Sequence, residues 1–441
     1  MILIHNGALI SSQGAEQVDI LLDGERIADV RPISNLQFPS ADIQVIDASG
    51  LLVFPGLIDA HTHMRQPGGE HKEDFYTGTC AALAGGVTTI FAMPNTSPAV
   101  VDRATLDFAL YLAQQNAVCD YGLFLGATNT NQRVKADNLD LRECGLKMYM
   151  GSSTGDLLVQ DFDAQYEHFL NYPHERVIGV HAEHEPAVRY FGAHGERRPH
   201  ICAEVETARA VAMAEKVGRR VHVCHVSSRR EVEIIRDAKS RGVPVTCEYA
   251  PHYLFLTTDY EYGAAHPVPP EPPLLNPTSL YQMNPPLREE SDRDTLWANL
   301  GVADCIATDH APHTLEEKRS AKPPSGVTGL ETMLPLLLTA AHAGRLTYSD
   351  IARLCCEGPA QTFAIPLKGR IAAGYDADIT LVDPHEQWVI GERPLFTKCG
   401  WTPFDGGPVR GAVKQVYVRG QLAFSVGKIV APRGSGKRIE N

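Results

Sequence analysis

The strongest constraint on the fold is a series of eight short apolar runs that alternate with stretches of helical periodicity. The predicted strands are Leu57–Ala60, Thr88–Met93, Tyr121–Gly126, Leu146–Met150, Val177–His181, Val221–Val226, Val243–Glu248 and Cys305–Thr308. The predicted helices include Asp102–Asn116, Phe162–Asn171, Cys202–Lys216 and Glu231–Arg241. This alternation predicts parallel βα units, and eight of them favour a closed (β/α)8 barrel, or TIM barrel. A doubly wound open sheet is the alternative, but no glycine-rich dinucleotide turn follows the early strands.

The two ends of the chain have a different pattern. Short alternation of apolar and polar residues, as in Ala377–Val382 and Ala412–Val418, predicts a small β-sandwich built from both termini. The predicted division is 1–53 for the N-terminal part of the sandwich, 54–364 for the barrel, and 365–441 for the C-terminal part and a tail. We expect the polar tail, Arg433–Asn441, to fray, and the proline-rich piece Pro267–Pro277 to form a long loop over the barrel mouth.

Composition limits the classes of function. The chain has 441 residues and a formal net charge of -13, so nucleic acid and anionic membrane surfaces are poor partners. Ten cysteines are spread without framework spacing, which predicts reduced thiols of a cytoplasmic protein. No apolar stretch approaches the ~20 residues of a membrane span, and Met1–Gly7 has no basic segment typical of a signal peptide.

Ionisable residues stand at or just after the ends of predicted strands. They are His61, His63, Lys147, His181, His225 and Asp309. In a (β/α)8 barrel these strand ends converge on one mouth, where such enzymes have their active sites. The sequence therefore predicts one cluster of these side chains.

The four histidines favour a metal site. His61 and His63 are two residues apart on an extended segment, so both imidazoles face the same side and can bind one ion. Taken alone, each histidine is better explained as a hydrogen-bonded residue of the core or of a strand end. Four histidines at corresponding strand ends favour a common metal site, because the burial of each unpaired imidazole ring costs free energy.

Lys147 and Asp309 each leave two interpretations open. Lys147 alternates with Leu146 and Met148 and so points into the barrel, where burial favours a neutral amine. Such an amine can react with carbon dioxide to form a carbamate that bridges two cations; alternatively the lysine extends to the barrel mouth. Asp309 can act as general base and acid on a metal-activated water, or it caps an Asx turn.

Several motifs resemble those of the cyclic amidohydrolases, and within them the dihydroorotases. They are Asp59–Pro67, Ala92–Thr96, Cys224–Ser228, Pro251–Leu254 and Thr308–His313. Longer stretches are close to the dihydroorotase domain of the animal multifunctional pyrimidine-synthesis polypeptide: His71–Phe75, Ala311–Lys318, Gly329–Leu338 and Trp401–Phe404. The similarity covers nearly the whole chain.

The resemblance implies a centre of two metal ions, usually zinc. The implied ligands are His61, His63 and Asp309 for the first ion and His181 and His225 for the second, with carboxylated Lys147 and a hydroxide as bridges. Cys224 and Glu248 match the positions that bind a further zinc ion in a closely related class. A small buried hydrophobe is the other interpretation of Cys224, and the sequence alone favours it.

The resemblance also implies a substrate, dihydroorotate, which is reversibly hydrolysed to N-carbamoyl-aspartate in pyrimidine biosynthesis. The implied substrate-binding residues are Arg65, Asn95, Asn284, Arg288, His313 and Gly326, with Ser153 and Thr154 in a mobile loop. Arg65 offers a planar fork to the substrate carboxylate. A surface salt bridge is an equally good interpretation of Arg288.

Other functions remain open at this stage. A dihydropyrimidinase (hydantoinase) or an allantoinase would share the metal-binding residues, but its neutral ring would leave the Arg65 guanidinium without a partner. An inactive scaffold for aspartate transcarbamoylase is a further alternative, although such relatives lack metal ligands. The resemblance also allows a homodimer and a contact between an active enzyme and that transcarbamoylase.

Overall fold

Five strands near the N-terminus lie outside the barrel. This computed structural model describes residues 1–32, 43–132, 143–153, 155–261 and 277–439. The five strands are β1 (Ile2–Ser11), β2 (Gly14–Asp23), β3 (Arg26–Pro32), β4 (Gln44–Asp47) and β5 (Leu52–Pro55). β5 spans the predicted boundary between residues 53 and 54. Thr154 and the predicted loop Pro267–Pro277 lie outside the described residues, apart from Pro277 itself.

Eight parallel strands form the barrel. They are β6 (Leu57–Thr62), β7 (Val87–Ala92), β8 (Asp120–Gly126), β9 (Gly145–Tyr149), β10 (Ile178–His181), β11 (Val221–Val223), β12 (Val245–Tyr249) and β13 (Cys305–Ile306). They pair in chain order, and a bridge between Thr62 and His310 connects the last strand region to the first. The predicted (β/α)8 barrel and its eight strands are confirmed.

Helices cover the outside of the barrel. They are α1 (Phe75–Ala84), α2 (Arg103–Asn116), α3 (Phe162–Asn171), α4 (Glu185–Ala193), α5 (Ile201–Val217), α6 (Arg229–Ser240), α7 (Pro251–Phe255), α8 (Thr258–Glu261), α9 (Glu290–Ala298), α10 (Leu315–Lys318), α11 (Met333–His342), α12 (Tyr348–Ala352) and α13 (Gly358–Thr362). A 3₁₀-helix covers Pro277–Tyr281 and a π-helix covers Arg353–Glu357. The four predicted helices named above are present. None of the helices in the described ranges is both long and apolar enough to cross a membrane.

Strands from the C-terminal region complete the sheet that β1–β5 begin. These are β14 (Ile379–Val389), β15 (Pro408–Val418), β16 (Gln421–Ser425) and β17 (Lys428–Ile429). The predicted β-rich unit from both termini is confirmed, and hydrogen bonds join it into one sheet of nine strands. Antiparallel pairing of β14 with β5 connects its two halves, and Ile4, Ile379 and Tyr417 lie in its core.

An apolar cluster fills the lower part of the barrel. The rings of Phe91, Phe124 and Phe363 pack edge-on with centroids 5.1–6.0 Å apart, and Ile439 joins this cluster. The expectation of a frayed tail is therefore wrong up to Ile439. The N–H group of Tyr121 donates to Lys437 O (3.0 Å) and that of Ile439 donates to Tyr121 O (2.9 Å). Backbone pairing and one apolar side chain outweigh the polar composition of this segment.

Candidate metal centre

The six ionisable residues predicted at strand ends lie together in the barrel mouth. His61 is in β6, with His63 just after it, Lys147 is in β9 and His181 ends β10. His225 and Asp309 follow β11 and β13. All six side chains are buried. The structure thus brings these residues into one cluster above the apolar interior.

Three donor atoms converge in the first part of this cluster. The Nε2 atom of His61 lies 3.4 Å from Oδ1 of Asp309, and that of His63 lies 3.1 Å from the same oxygen. The other ring nitrogens have different partners. Nδ1 of His63 donates to Oδ1 of Asn95 (2.7 Å), and Nδ1 of His61 contacts Oε1 of Glu248. Both rings are therefore oriented with Nε2 toward Asp309, as ligation of one ion requires.

Two further imidazoles face each other in the second part of the cluster. Nδ1 of His181 lies 3.0 Å from Nε2 of His225. Burial lowers the pKa of both rings, and for His225 the neighbouring His181 lowers it further. Nδ1 of His225 has no hydrogen-bond partner among the described residues. Neutral imidazoles with facing nitrogen atoms are the form in which histidine binds a metal.

Lys147 lies between these histidines and a thiol. Its side chain is fully buried, and Nζ lies 2.9 Å from Sγ of Cys224 and 5.3 Å from the ring centroid of Tyr149. The alternative in which the ammonium extends to solvent at the mouth is therefore wrong. Strand alternation directs this side chain inward, as the sequence predicted.

A third group of donors lies on the inner side of His61. Ligand atoms of His61, Cys224 and Glu248 all lie within 4.8 Å of one another. Glu248 also accepts from Nε2 of His222 (3.0 Å), a residue that the sequence analysis did not single out. Burial alone would raise the pKa of Glu248, but His61 and His222 hold it well below its usual range. Cys224 thus contacts polar groups in addition to being buried.

Asp309 is a carboxylate in this environment. Burial alone would raise its pKa, but His61 and His63 outweigh burial and hold the pKa well below its usual range. Asp309, His225 and Arg65 have positive φ angles of 46°, 38° and 56°. Non-glycine residues adopt this region at a cost of about 1 kcal/mol or more, and such residues cluster at active sites. No sequence pattern indicated these three conformations.

Arg65 and His313 form a buried pair beside the first part of the cluster. Nη2 of Arg65 lies 3.2 Å from Nε2 of His313, and its Nε donates to Pro312 O (3.1 Å). Burial, followed by Arg65 and Lys72, lowers the pKa of His313 far below its usual range, so the ring is neutral and accepts from the guanidinium. Nε1 of Trp401 donates to His313 O (2.7 Å) and supports this loop.

The other predicted substrate-binding residues are less closely grouped around the histidines. Arg288 is buried and donates to Ser227 Oγ (3.3 Å), so its interpretation as a surface salt bridge is wrong. Oδ1 of Asn284 accepts from Ser325 Oγ (3.2 Å). The N–H group of Gly326 donates to Gln282 O (2.9 Å), so it already has a hydrogen-bond partner within the protein. Ser153 is partly buried after β9.

Sequence reasoning missed several polar residues of the mouth, above all Glu183 and Arg198. Glu183 is fully buried, and its Oε2 lies 3.1 Å from Nε2 of His181. A signal was present, because residues two apart at the end of a strand share a side of the chain. Arg198 pairs with Glu183 from a loop, and its sequence neighbourhood gives no comparable signal.

Comparison with known proteins places this centre in a family. The family model described as Amidohydrolase family matches residues 52–423. The multifunctional protein CAD of Squalus acanthias is 41% identical over 90% of this chain, and the dihydroorotase of Pyrococcus abyssi is 38% identical over 87% of this chain and 87% of its own. A solved structure of the L-hydantoinase (dihydropyrimidinase) from Arthrobacter aurescens is also similar. Its TM-score is 0.90 at 28% identity, with coverage of 100% of this chain and 99% of that one.

The lengths of these relatives differ. This chain spans 16% of the length of CAD and of the multifunctional protein pyr1-3 of Dictyostelium discoideum. The family match covers all eight barrel strands and extends at both ends into the terminal sheet. The chain belongs to the amidohydrolase family.

Proposed function

We propose that the chain is a dihydroorotase, which reversibly hydrolyses the cyclic amide of dihydroorotate to N-carbamoyl-aspartate. The observation that supports this best is the buried contact between Arg65 and His313 beside the histidine cluster. A guanidinium out of contact with solvent needs an anionic or strongly polar partner, and the carboxylate of dihydroorotate provides one. The similarity to dihydroorotases over most of the chain supports the same reaction.

The described residues fit a centre of two zinc ions. One set of donors is Nε2 of His61, Nε2 of His63 and Oδ1 of Asp309. The other is Nδ1 of His181 and Nε2 of His225. Imidazole and carboxylate ligands in this mixture are those that zinc prefers. Carboxylation of Lys147 would supply the anionic bridge between the two sets, and its burial in the cluster supports that role.

A third zinc ion has a candidate site on the inner side of His61. Cys224, Glu248 and His61 have the donor atoms for it, within 4.8 Å of one another. However, Glu248 already accepts from His222, and Sγ of Cys224 already contacts Lys147. A third ion would have to replace the contact between Cys224 and Lys147.

Different residues of the chain would transfer the proton and orient the substrate. The chemistry that the ions supply when bound is a water of lowered pKa and a polarised amide carbonyl. Asp309, ionised and close to both first-set histidines, would accept a proton during ring opening and return it to the leaving amide nitrogen. Arg65 and His313 would orient the substrate through its carboxylate. Asn95 would orient His63 through the hydrogen bond to Nδ1 as well as contacting substrate.

A dihydropyrimidinase is the second candidate, since a solved hydantoinase shares the fold with a TM-score of 0.90. The metal-binding residues do not discriminate between the two functions. Arg65 does, because a neutral ring would leave the buried guanidinium with Pro312 O and His313 as its hydrogen-bond partners among the residues that the structure describes.

Partners beyond the small-molecule substrate also remain proposals. A homodimer and a contact with aspartate transcarbamoylase come from the resemblance. The similarity to a multifunctional protein supports such a contact. The standalone dihydroorotase of Pyrococcus abyssi, matched over 87% of both chains, supports a chain that acts by itself.

The proposed function is tested by ring-opening assays on the zinc-loaded protein with dihydroorotate, dihydrouracil and allantoin. We expect dihydroorotate to have the highest kcat/KM by a wide margin. A higher kcat/KM for dihydrouracil or allantoin would contradict the proposal. Zinc analysis of the same sample, with mass spectrometry for the 44 Da carbamate on Lys147 under non-denaturing conditions, tests the proposed cofactor.

A further inference from the structure

Arg198 connects two parts of the mouth that lie on neighbouring strands. Its Nη1 donates to Oε2 of Glu183, which follows β10. Its Nη2 donates to the backbone oxygen of Ser152 (2.5 Å) and to its Oγ (3.2 Å), and Ser152 follows β9. The φ angle of Arg198 is 48°, an uncommon conformation for a residue with a side chain. One planar guanidinium thus contacts two segments of the candidate centre.

Glu183 relates Arg198 to the second set of histidines. The Oε2 atom that Arg198 contacts lies 3.1 Å from Nε2 of His181, an electrostatic contact without an aligned hydrogen bond. A carboxylate beside Nε2 favours the tautomer that leaves the Nδ1 lone pair available to a metal. Nδ1 is the atom that faces His225. Arg198 provides the positive charge that pairs with this fully buried carboxylate.

Ser152 is bound from both sides. Its N–H group donates to Oε2 of Glu185 (2.7 Å), whereas its carbonyl oxygen accepts from Arg198. Gly151 packs closely on the same segment, because a Cβ atom there would lie 2.4 Å from Glu183 O. The residues that lead from β9 to Ser153 are therefore held against the residues that follow β10.

The backbone of Arg198 contacts Arg288, one of the residues predicted to bind the substrate. Nη1 of Arg288 donates to Arg198 O (2.9 Å), and Arg288 is buried. The Nη2 atom of Arg288 has no hydrogen-bond partner among the described residues. Arg198 thus lies at the point where a metal-binding histidine, the segment after β9 and a substrate-binding arginine approach one another.

We propose that Arg198 is a positioning residue that couples metal retention by His181, through Glu183, to the placement of the segment Gly151–Ser153. This rests on the proposed two-metal hydrolase. Lysine cannot replace the arginine fully, since a single ammonium is a point charge without the planar fork that reaches Glu183 and Ser152 together.

The test compares Arg198→Met, Arg198→Lys and Glu183→Gln in the full zinc-loaded chain. The first readout is the rate of zinc transfer to a coloured chelator without substrate. The second is hydrogen exchange of the Gly151–Ser153 amides. We expect Arg198→Met to lose zinc about tenfold faster or more, as loss of a group that orients a ligand does, and to exchange faster. Glu183→Gln should accelerate zinc loss alone, because Arg198 keeps its bonds to Ser152.

The kinetic split gives a third readout. Arg198→Lys should retain zinc within about twofold of the unmodified chain, because its ammonium still pairs with Glu183. It should exchange faster at Ser152 and have a raised KM for dihydroorotate with little change in kcat. Arg230→Met, which removes an exposed arginine paired with Glu233, is the matched control and should change none of these values.

Each outcome decides the proposal. Zinc loss or hydrogen exchange at the rate of the unmodified chain in folded Arg198→Met overturns the coupling. If Arg198→Met does not fold, unchanged exchange in Arg198→Lys or unchanged zinc loss in Glu183→Gln overturns it. Zinc transfer and hydrogen exchange need no substrate. A chain without dihydroorotase activity therefore refutes the proposed function while these two readouts still test Arg198.

Discussion

The Nζ atom of Lys147 lies 2.9 Å from Sγ of Cys224 inside the barrel, and the lysine side chain is fully buried. The contact with Cys224 is made by the lysine side chain without a carboxyl group on Nζ. A carbamate on Nζ would place two anionic oxygens in the same space, beside the nitrogen atoms of His181 and His225. Burial of that anion requires cations nearby, so carboxylation and metal binding should depend on each other.

Replacement of Lys147 by alanine should remove the bridge. We expect Lys147→Ala to bind less zinc and to lose nearly all ring-opening activity, because no other side chain in the middle of β9 could bridge the two sets of ligands. Short-chain carboxylic acids should restore part of the rate by filling the vacated space. The checks are zinc analysis and activity with and without acetate. Full activity in untreated Lys147→Ala would show that no carbamate is needed.

Replacement of Asp309 by asparagine should abolish proton transfer. The amide keeps the shape of the side chain but cannot accept a proton, and general acid–base groups contribute about 100- to 10 000-fold to rate. We expect Asp309→Asn to lose ring opening and ring closure to the same extent. Initial rates in both directions, at matched zinc content, are the measurement. Normal activity in either direction would remove Asp309 from the mechanism.

Glu331 gives a prediction about stability that does not involve the metal. Burial raises its pKa from 4.5 to about 7, although the N–H groups of Phe396 and Thr397 donate to it. The folded state therefore holds this proton more tightly than the unfolded state, and Glu331 lowers the free energy of unfolding as pH rises from about 4.5 to 7. The loss amounts to about 3 kcal/mol at most, since one pKa unit corresponds to about 1.4 kcal/mol.

Glutamine at this position keeps an oxygen for Phe396 and Thr397 and has no charge to bury. We expect Glu331→Gln to be more stable than the unmodified chain at pH 7.5 and close to it at pH 4.5. Urea unfolding at several pH values is the measurement. The exposed Glu316→Gln is the control. A constant difference between Glu331→Gln and the unmodified chain across this range would contradict the shifted pKa.

The barrel could be predicted from the sequence because its strands are buried on both sides. Such strands are continuous apolar runs, and alternation within them correctly directed Lys147 inward. The histidines and Asp309 could be found because each lies at or just after the end of such a run. The position of a residue after a strand is enough to place it in a barrel mouth.

The ordered C-terminal segment, the burial of Arg288 and the unusual backbone angles of the site could not be predicted, because they depend on tertiary contacts that no local pattern specifies. The segment 433–439 is polar, yet backbone pairing with Tyr121 and packing of Ile439 order it. For Arg288 the sequence left substrate binding and a surface salt bridge equally open, because its partners, Ser227 and Arg198, are 61 and 90 residues away in the chain. The positive φ angles of Arg65, His225 and Asp309 are uncommon for any residue other than glycine, and no local sequence pattern marks the positions where they occur.

The most direct test of the proposed function is the preference for dihydroorotate over dihydrouracil. It is measured as the ratio of the two kcat/KM values, in the unmodified chain and in the variants Arg65→Met and Arg65→Lys. Because Arg65 also contacts Pro312 O and His313, the ratio reports on carboxylate recognition by Arg65 and His313 together. We predict that Arg65→Met lowers the ratio about 10- to 100-fold at unchanged zinc content, which is the effect of one charge-assisted hydrogen-bonded pair, and that lysine restores part of it. An equal loss for both substrates would contradict recognition of the carboxylate by Arg65.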